Sequence, residues 1–170
     1  MKTRSRLFHP LAKLGLLALT SVALALVGCV PPPLFDRSDA ANRLAPWQAA
    51  QAPAMAEIVI WGGAIVSVRN LEATTEIEVL AYPLDQKQRP LQRAPSQGRF
   101  IVVQDGFVEP TDFPSGRYLT VKGKLFGTRE GHIEQSQYRF PIVKDAKLHV
   151  WPVDYFYNRS RWSFGVGVGF

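Results

Sequence analysis

The side chain placed for covalent chemistry in this 170-residue chain is Cys29, its only cysteine. It closes the order Leu26-Val27-Gly28-Cys29 at the end of an uncharged apolar run, residues 14–27. A Leu, a small or branched residue, Gly and Cys in that position form the pattern of a bacterial lipobox. There the thiol is the nucleophile that takes a diacylglycerol, and Gly28 lets a peptidase approach the Gly28–Cys29 bond. The flank agrees: residues 1–13 carry Lys2, Arg4, Arg6 and Lys13 and no acid. The run is shorter than the roughly 20 residues a membrane span needs and has the length of a signal-peptide core. The expectation is a leader over residues 1–28 and an acylated Cys29 at the new N-terminus. Each buried methylene adds about 0.8 kcal/mol, so several acyl chains anchor the protein stably in lipid. Val30, where Asp would follow for inner-membrane retention, points to the outer membrane and its periplasmic face. A single cysteine excludes an intrachain disulfide and a Cys-cluster zinc site.

The remaining candidates for chemistry are sparse. His132 and His149 lie far apart in sequence, with no carboxylates at ligand spacing, so no metal is expected. No Gly-x-Ser-x-Gly, His-Glu-x-x-His or P-loop occurs, and the chain reads as a non-enzyme whose only attached group is the lipid on Cys29. Arg99 and Arg117 each follow a glycine at a strand start. Their guanidinium forks could share an anion, or could each anchor a turn through acids such as Asp85 or Asp112. Glu72, Glu76 and Glu78 read as a solvated face. Trp61, Tyr82, Phe100 and Tyr118 could stack nucleotide bases. However, the formal charge of +6 includes four cations of the leader, leaving +2, and nucleic acid is not expected as a partner. At the other end Trp162, Phe164, Val166, Val168 and Phe170 occupy alternate positions with small residues between them. As a strand this has one bulky apolar face. It either completes the protein's own sheet or faces lipid or an envelope protein partner, with Trp162, Phe164 and Phe170 as contacts. Tyr155-Phe156-Tyr157 and Arg159 precede it as an aromatic-basic cluster.

These residues must be positioned by a chain that is 46% hydrophobic over its full length and turn-rich, with 13 glycines and 13 prolines. Residues 29–56 contain five prolines among Ala, Gln and polar residues and read as an extended tether that gives reach, with a short helical turn near residues 39–44. From residue 57 the pattern is β. Residues 58–68 are β-branched with Gly62-Gly63 inside, which suggests a bulge or bend. Residues 76–83, 98–103, 118–125 and 138–143 give four more strands, and 148–151 can extend the last. Residues 118–125 alternate strictly, pointing Leu119, Val121 and Leu125 inward. Pro141 marks an edge or a break. Residues 85–95, 105–116 and 127–135 read as turns. The organisation is a leader (1–28), a lipidated tether (29–56), an all-β domain (57–151) and a C-terminal tail (152–170). Five short strands with a long bent first one fit a small OB-like Greek-key barrel, with a small β-sandwich as the alternative.

Trp61-Gly62-Gly63-Ala64-Ile65, Asn70, Thr75-Glu76-Ile77-Glu78-Val79, Tyr82-Pro83-Leu84-Asp85, Arg89-Pro90, Gly98-Arg99-Phe100, Gly116-Arg117, Thr120-Val121-Lys122-Gly123 and Tyr138-Arg139-Phe140-Pro141 together resemble the Slp family. These are the starvation-inducible outer-membrane lipoproteins of Gram-negative bacteria. Two positions depart from the pattern: Glu109 stands where Asp is expected before proline, and Gln88 where Gly is expected before Arg89. The resemblance implies an outer-membrane lipoprotein linked to starvation or envelope stress. It brings no catalytic residues. The reading that follows is a structural or interaction role in the envelope. The alternative is a periplasmic OB-like module binding a small anion or peptide at the Arg99–Arg117 end.

Overall fold

A computed structural model describes residues 32–37, 44–52 and 56–155. Gly28, Cys29, Trp162, Phe164 and Phe170 lie outside the described residues, as do residues 39–43 of the helical turn expected near 39–44. Five strands, β1 (Ile58–Asn70), β2 (Thr74–Ala81), β3 (Arg99–Asp105), β4 (Tyr118–Ile133) and β5 (Ser136–Val150), form a closed barrel in the order β1-β2-β3-β5-β4. Closure makes this an OB-type barrel rather than a sandwich.

β1 makes closure possible because its two halves serve different neighbours. Residues 58–64 pair with β4 and residues 63–70 with β2. At the changeover the backbones crowd: a Cβ on Gly63 would lie 1.9 Å from the Leu80 carbonyl oxygen. The Gly-Gly pair is therefore a close-approach device, and the irregularity itself falls between Ile65 and Ser67. Trp61, Ile65, Val79, Phe100, Leu119, Val121 and Leu125 fill the interior. Trp61 meets Phe100 edge-on at 5.2 Å between ring centroids, a favourable aromatic geometry.

The one parallel seam joins β3 to β5 through just two registered pairs, Ile101–Ile142 and Val102–Val143. A short helix, α1 (Pro46–Gln51), packs against both strands. It places Ala49 in the core and donates the Trp47 amide to the Gln97 carbonyl at 3.1 Å. Trp61 Nε1 donates to the Leu44 carbonyl at 2.7 Å. Residues 44–51 of the expected tether are thus part of the folded domain, because Pro46 starts a helix well and Ala49 is small enough to seat against the barrel.

The expectation of a turn over 127–135 is corrected. β4 and β5 run on as a long hairpin whose pairing continues from Thr128–Pro141 to Ile133–Ser136. Cross-strand pairing and the exposed Arg139–Glu130 ion pair (2.6 Å) outweigh the weak strand propensity of Gly and charged residues there. Pro141 sits inside β5 beside the register shift between Leu125 and Thr128, where its missing N–H is tolerated.

Candidate functional site

The hairpin's outer half forms an arm over the outside of the barrel. Alternation along β2 sends Ile77 and Val79 inward and Glu76 and Glu78 outward; on β3, Phe100 and Val102 point in and Ile101 out. Ile101, Phe140 and Ile142 make a small apolar cluster on this outer side. Next to it lies a groove of about 550 Å³, walled by Ser67 and Arg69 of β1, Glu76 and Glu78 of β2, and Arg129–His132 of the arm. The face of strands 2 and 3, flanked by the 1–2 and 4–5 connections, is the usual binding face of OB barrels.

The groove's floor is an ion-pair knot. Arg129 grips Glu76 with both nitrogens, Nη1 to Oε1 at 2.6 Å and Nη2 to Oε2 at 3.0 Å. Arg69 Nη2 adds a contact to Oε2 at 2.6 Å. The Arg129 guanidinium, with Arg69 behind it and against the opposing effect of burial, lowers the Glu76 carboxyl to about 2. The same hydrogen bonds raise Arg129 above its ordinary range. The expected solvated face of Glu76 is therefore corrected: the carboxylate points outward, but the arm covers it. Glu78 accepts from Arg99 Nη1 at 2.6 Å.

Arg99 and Arg117 each have a separate partner. Arg99 pairs with Glu78, and its amide donates to the Tyr138 hydroxyl at 2.7 Å. Arg117 Nη1 donates to the Trp151 carbonyl at 3.4 Å. Asp85 instead holds Arg89, with Nη2 2.7 Å from Oδ2. Burial pushes the Asp85 carboxyl up, but the Arg89 amide and guanidinium outweigh it and hold the carboxyl below its usual range. His132 lines the groove, while His149 stacks edge-on with Trp151.

A second constellation left one trace in the sequence, Gln88 standing where the family pattern has glycine. Gln88 is 1% exposed and adopts φ +62°, a left-handed conformation that favours glycine. Its side-chain amide pairs with the backbone of Phe35 in both directions: Oε1 accepts from the Phe35 amide at 2.7 Å, and Nε2 donates to the Phe35 carbonyl at 2.9 Å. Lys122 Nζ donates to the Asp36 carbonyl at 2.9 Å, and Arg37 Nη2 to Gln86 at 3.4 Å. The Gln88 carbonyl accepts from Thr120 Oγ1 at 2.7 Å, and that hydroxyl accepts from Trp151 Nε1 at 2.9 Å. Residues 33–37 of the expected free tether are thus strapped to the barrel.

An OB-type barrel with a filled interior and a walled groove on its outer face defines a small closed β-barrel domain. The chain belongs to the Slp family: the model described as "Outer membrane lipoprotein Slp family" matches residues 26–166. It is accordingly an outer-membrane lipoprotein. It is 35% identical over 156 residues to an uncharacterized protein of Haemophilus influenzae, covering 89% of this chain and 85% of that one. It is 32% identical over 117 residues to the uncharacterized lipoprotein YeaY of Escherichia coli, covering 62% and 60%. It is 29% identical over 110 residues to the outer membrane protein Slp of Escherichia coli, covering 64% and 58%.

Proposed function

We propose that this protein is a non-enzymatic interaction or structural lipoprotein of the starved or stressed envelope. It is anchored by acyl chains on Cys29 in the outer membrane and faces the periplasm. The observation that carries this reading is the division of the barrel's surfaces. Trp61, Phe100, Leu119 and Leu125 occupy the interior, leaving recognition to the outer face. The groove there is floored by a Glu76 carboxylate already neutralised by Arg129 and Arg69, a rigid recognition surface rather than a reactive one. The mixed walls of the groove, with Glu78, Glu130 and His132 beside the arginines, suit a protein partner's polar side chains better than a lone anion.

A photo-crosslinking amino acid at His132 in the groove tests this, with Asp145, an exposed residue of β5, as the control. In starved cells the groove position is expected to yield one discrete protein adduct that the control does not. Adducts of small mass alone would favour the anion or peptide reading. No groove-specific adduct would remove the interaction role.

A further inference from the structure

We infer that the loop over residues 84–93 is the membrane-facing side of the domain, and that Gln88 fixes this orientation by clamping the lipid-bearing segment onto it. The inference rests on acylation of Cys29 as proposed above. The covalent chain sets the limit. From position 29 to position 35 there are six residue steps, which span about 20 Å at full extension. Phe35 is held through both its amide and its carbonyl by the Gln88 side chain. The Gln88 loop therefore cannot move more than about 20 Å from the lipid attachment point while the clamp is closed.

The other end of the domain converges on the same loop. The Tyr155 hydroxyl donates to the Pro90 carbonyl at 3.1 Å. The sequence beyond it carries Phe156, Tyr157, Trp162, Phe164 and Phe170, residue types suited to a lipid interface. Two large apolar side chains belong to this side: Leu91 within the loop, 43% exposed, and Val153, two residues before Tyr155, 74% exposed. Lys87, Arg89 and Arg93 against Asp85 give residues 84–93 a net positive charge, which suits a surface of anionic phospholipid. The partner is thus a phospholipid bilayer, met by the face from which the anchor emerges. The arm and its groove are carried elsewhere: the arm turn, residues 134–135, lies fourteen residues along β4 and past its end from Thr120, which holds the Gln88 carbonyl.

The experiment uses the full lipidated protein in vesicles of phosphatidylethanolamine and phosphatidylglycerol containing a nitroxide-headgroup lipid. Acylation of Cys29 consumes the one native thiol, so Lys87→Cys or Glu134→Cys supplies a unique site for a fluorophore. Intact-mass measurement and vesicle flotation first establish acylation and anchoring, which separates failure of the anchor from failure of the orientation. In anchored protein, quenching at position 87 is expected to exceed that at 134 by about threefold or more. Equal quenching at the two sites would overturn the inference. Gln88→Gly then removes the clamp while giving the left-handed backbone its preferred residue, so the fold is retained. In that background the difference between the two sites should collapse while circular dichroism shows the barrel still folded. A difference that survived Gln88→Gly would refute the clamp as the orienting device.

Discussion

Neutralising Glu76 tests whether the arm is held to the barrel by charge. The distance between about 2 and the ordinary 4.5 corresponds to about 3 kcal/mol at about 1.4 kcal/mol per tenfold. The guanidinium partners are well hydrated, with side-chain exposures of 43% for Arg129 and 65% for Arg69 against 9% for Glu76. Solvent screening reduces the expected loss for Glu76→Gln to about 1–2 kcal/mol, because both arginines can return to water. Arg129→Met leaves a nearly buried carboxylate with Arg69 alone, and should cost more, about 2–3 kcal/mol. The sign with pH follows from the lowered carboxyl. Its contribution is fully present above the unfolded value near 4.5 and fades as pH falls towards about 2. Urea unfolding of residues 29–170, made without acyl chains, measures both variants from pH 7 down to pH 2. The gap between parent and Glu76→Gln should close over that acidic window. A gap below about 0.5 kcal/mol at neutral pH, or one that persists unchanged at pH 2, would refute the argument, since a charge-held carboxylate carries about 1–2 kcal/mol even after screening.

Other positions give further tests. Val121→Ala empties part of a fully buried site and should remove about 1–2 kcal/mol in the same unfolding assay. Gly63→Ala places a methyl 1.9 Å from backbone oxygen; no rotamer relieves that, and a loss of at least about 3 kcal/mol, seen as a lowered thermal midpoint by circular dichroism, is expected. Cys29→Ser should leave an unprocessed chain that takes up no radiolabelled palmitate and no longer sediments with outer membranes.

The barrel was legible because its signals are local and periodic. Residues 118–125 alternate strictly, and Leu119, Val121 and Leu125 are all buried. Gly62-Gly63 announced the crowded point of β1, though not that its cause is a second partner strand. The arm was not legible. Gly127, Arg129, Glu130 and Gly131 are poor strand formers by composition, and only tertiary pairing makes them a strand. Missing the arm concealed the site, because Glu76 looks solvated until Arg129 is placed over it. Gln88 illustrates a different limit. The family pattern calls for glycine there, and φ +62° explains why. What the exchange to glutamine adds, a side chain reaching Phe35 across 53 positions, has no trace in local sequence.

The two-pair seam between β3 and β5 has a kinetic consequence. The β1–β2–β3 meander and the β4–β5 hairpin each form from neighbours in the chain, whereas closure must join them twice, residues 58–64 to 118–124 along β1–β4 and residue 101 to residue 142 along the short seam. Loop-closure entropy delays such contacts until both local units exist. The slender ladder of the short seam also makes it the first part of the wall to part during native fluctuations. The barrel is then, in time, a meander and a hairpin joined firmly along the seven-pair β1–β4 seam and opening first along the two-pair β3–β5 line. α1, seated against both strands, acts as the latch on that line and sets how long it stays shut.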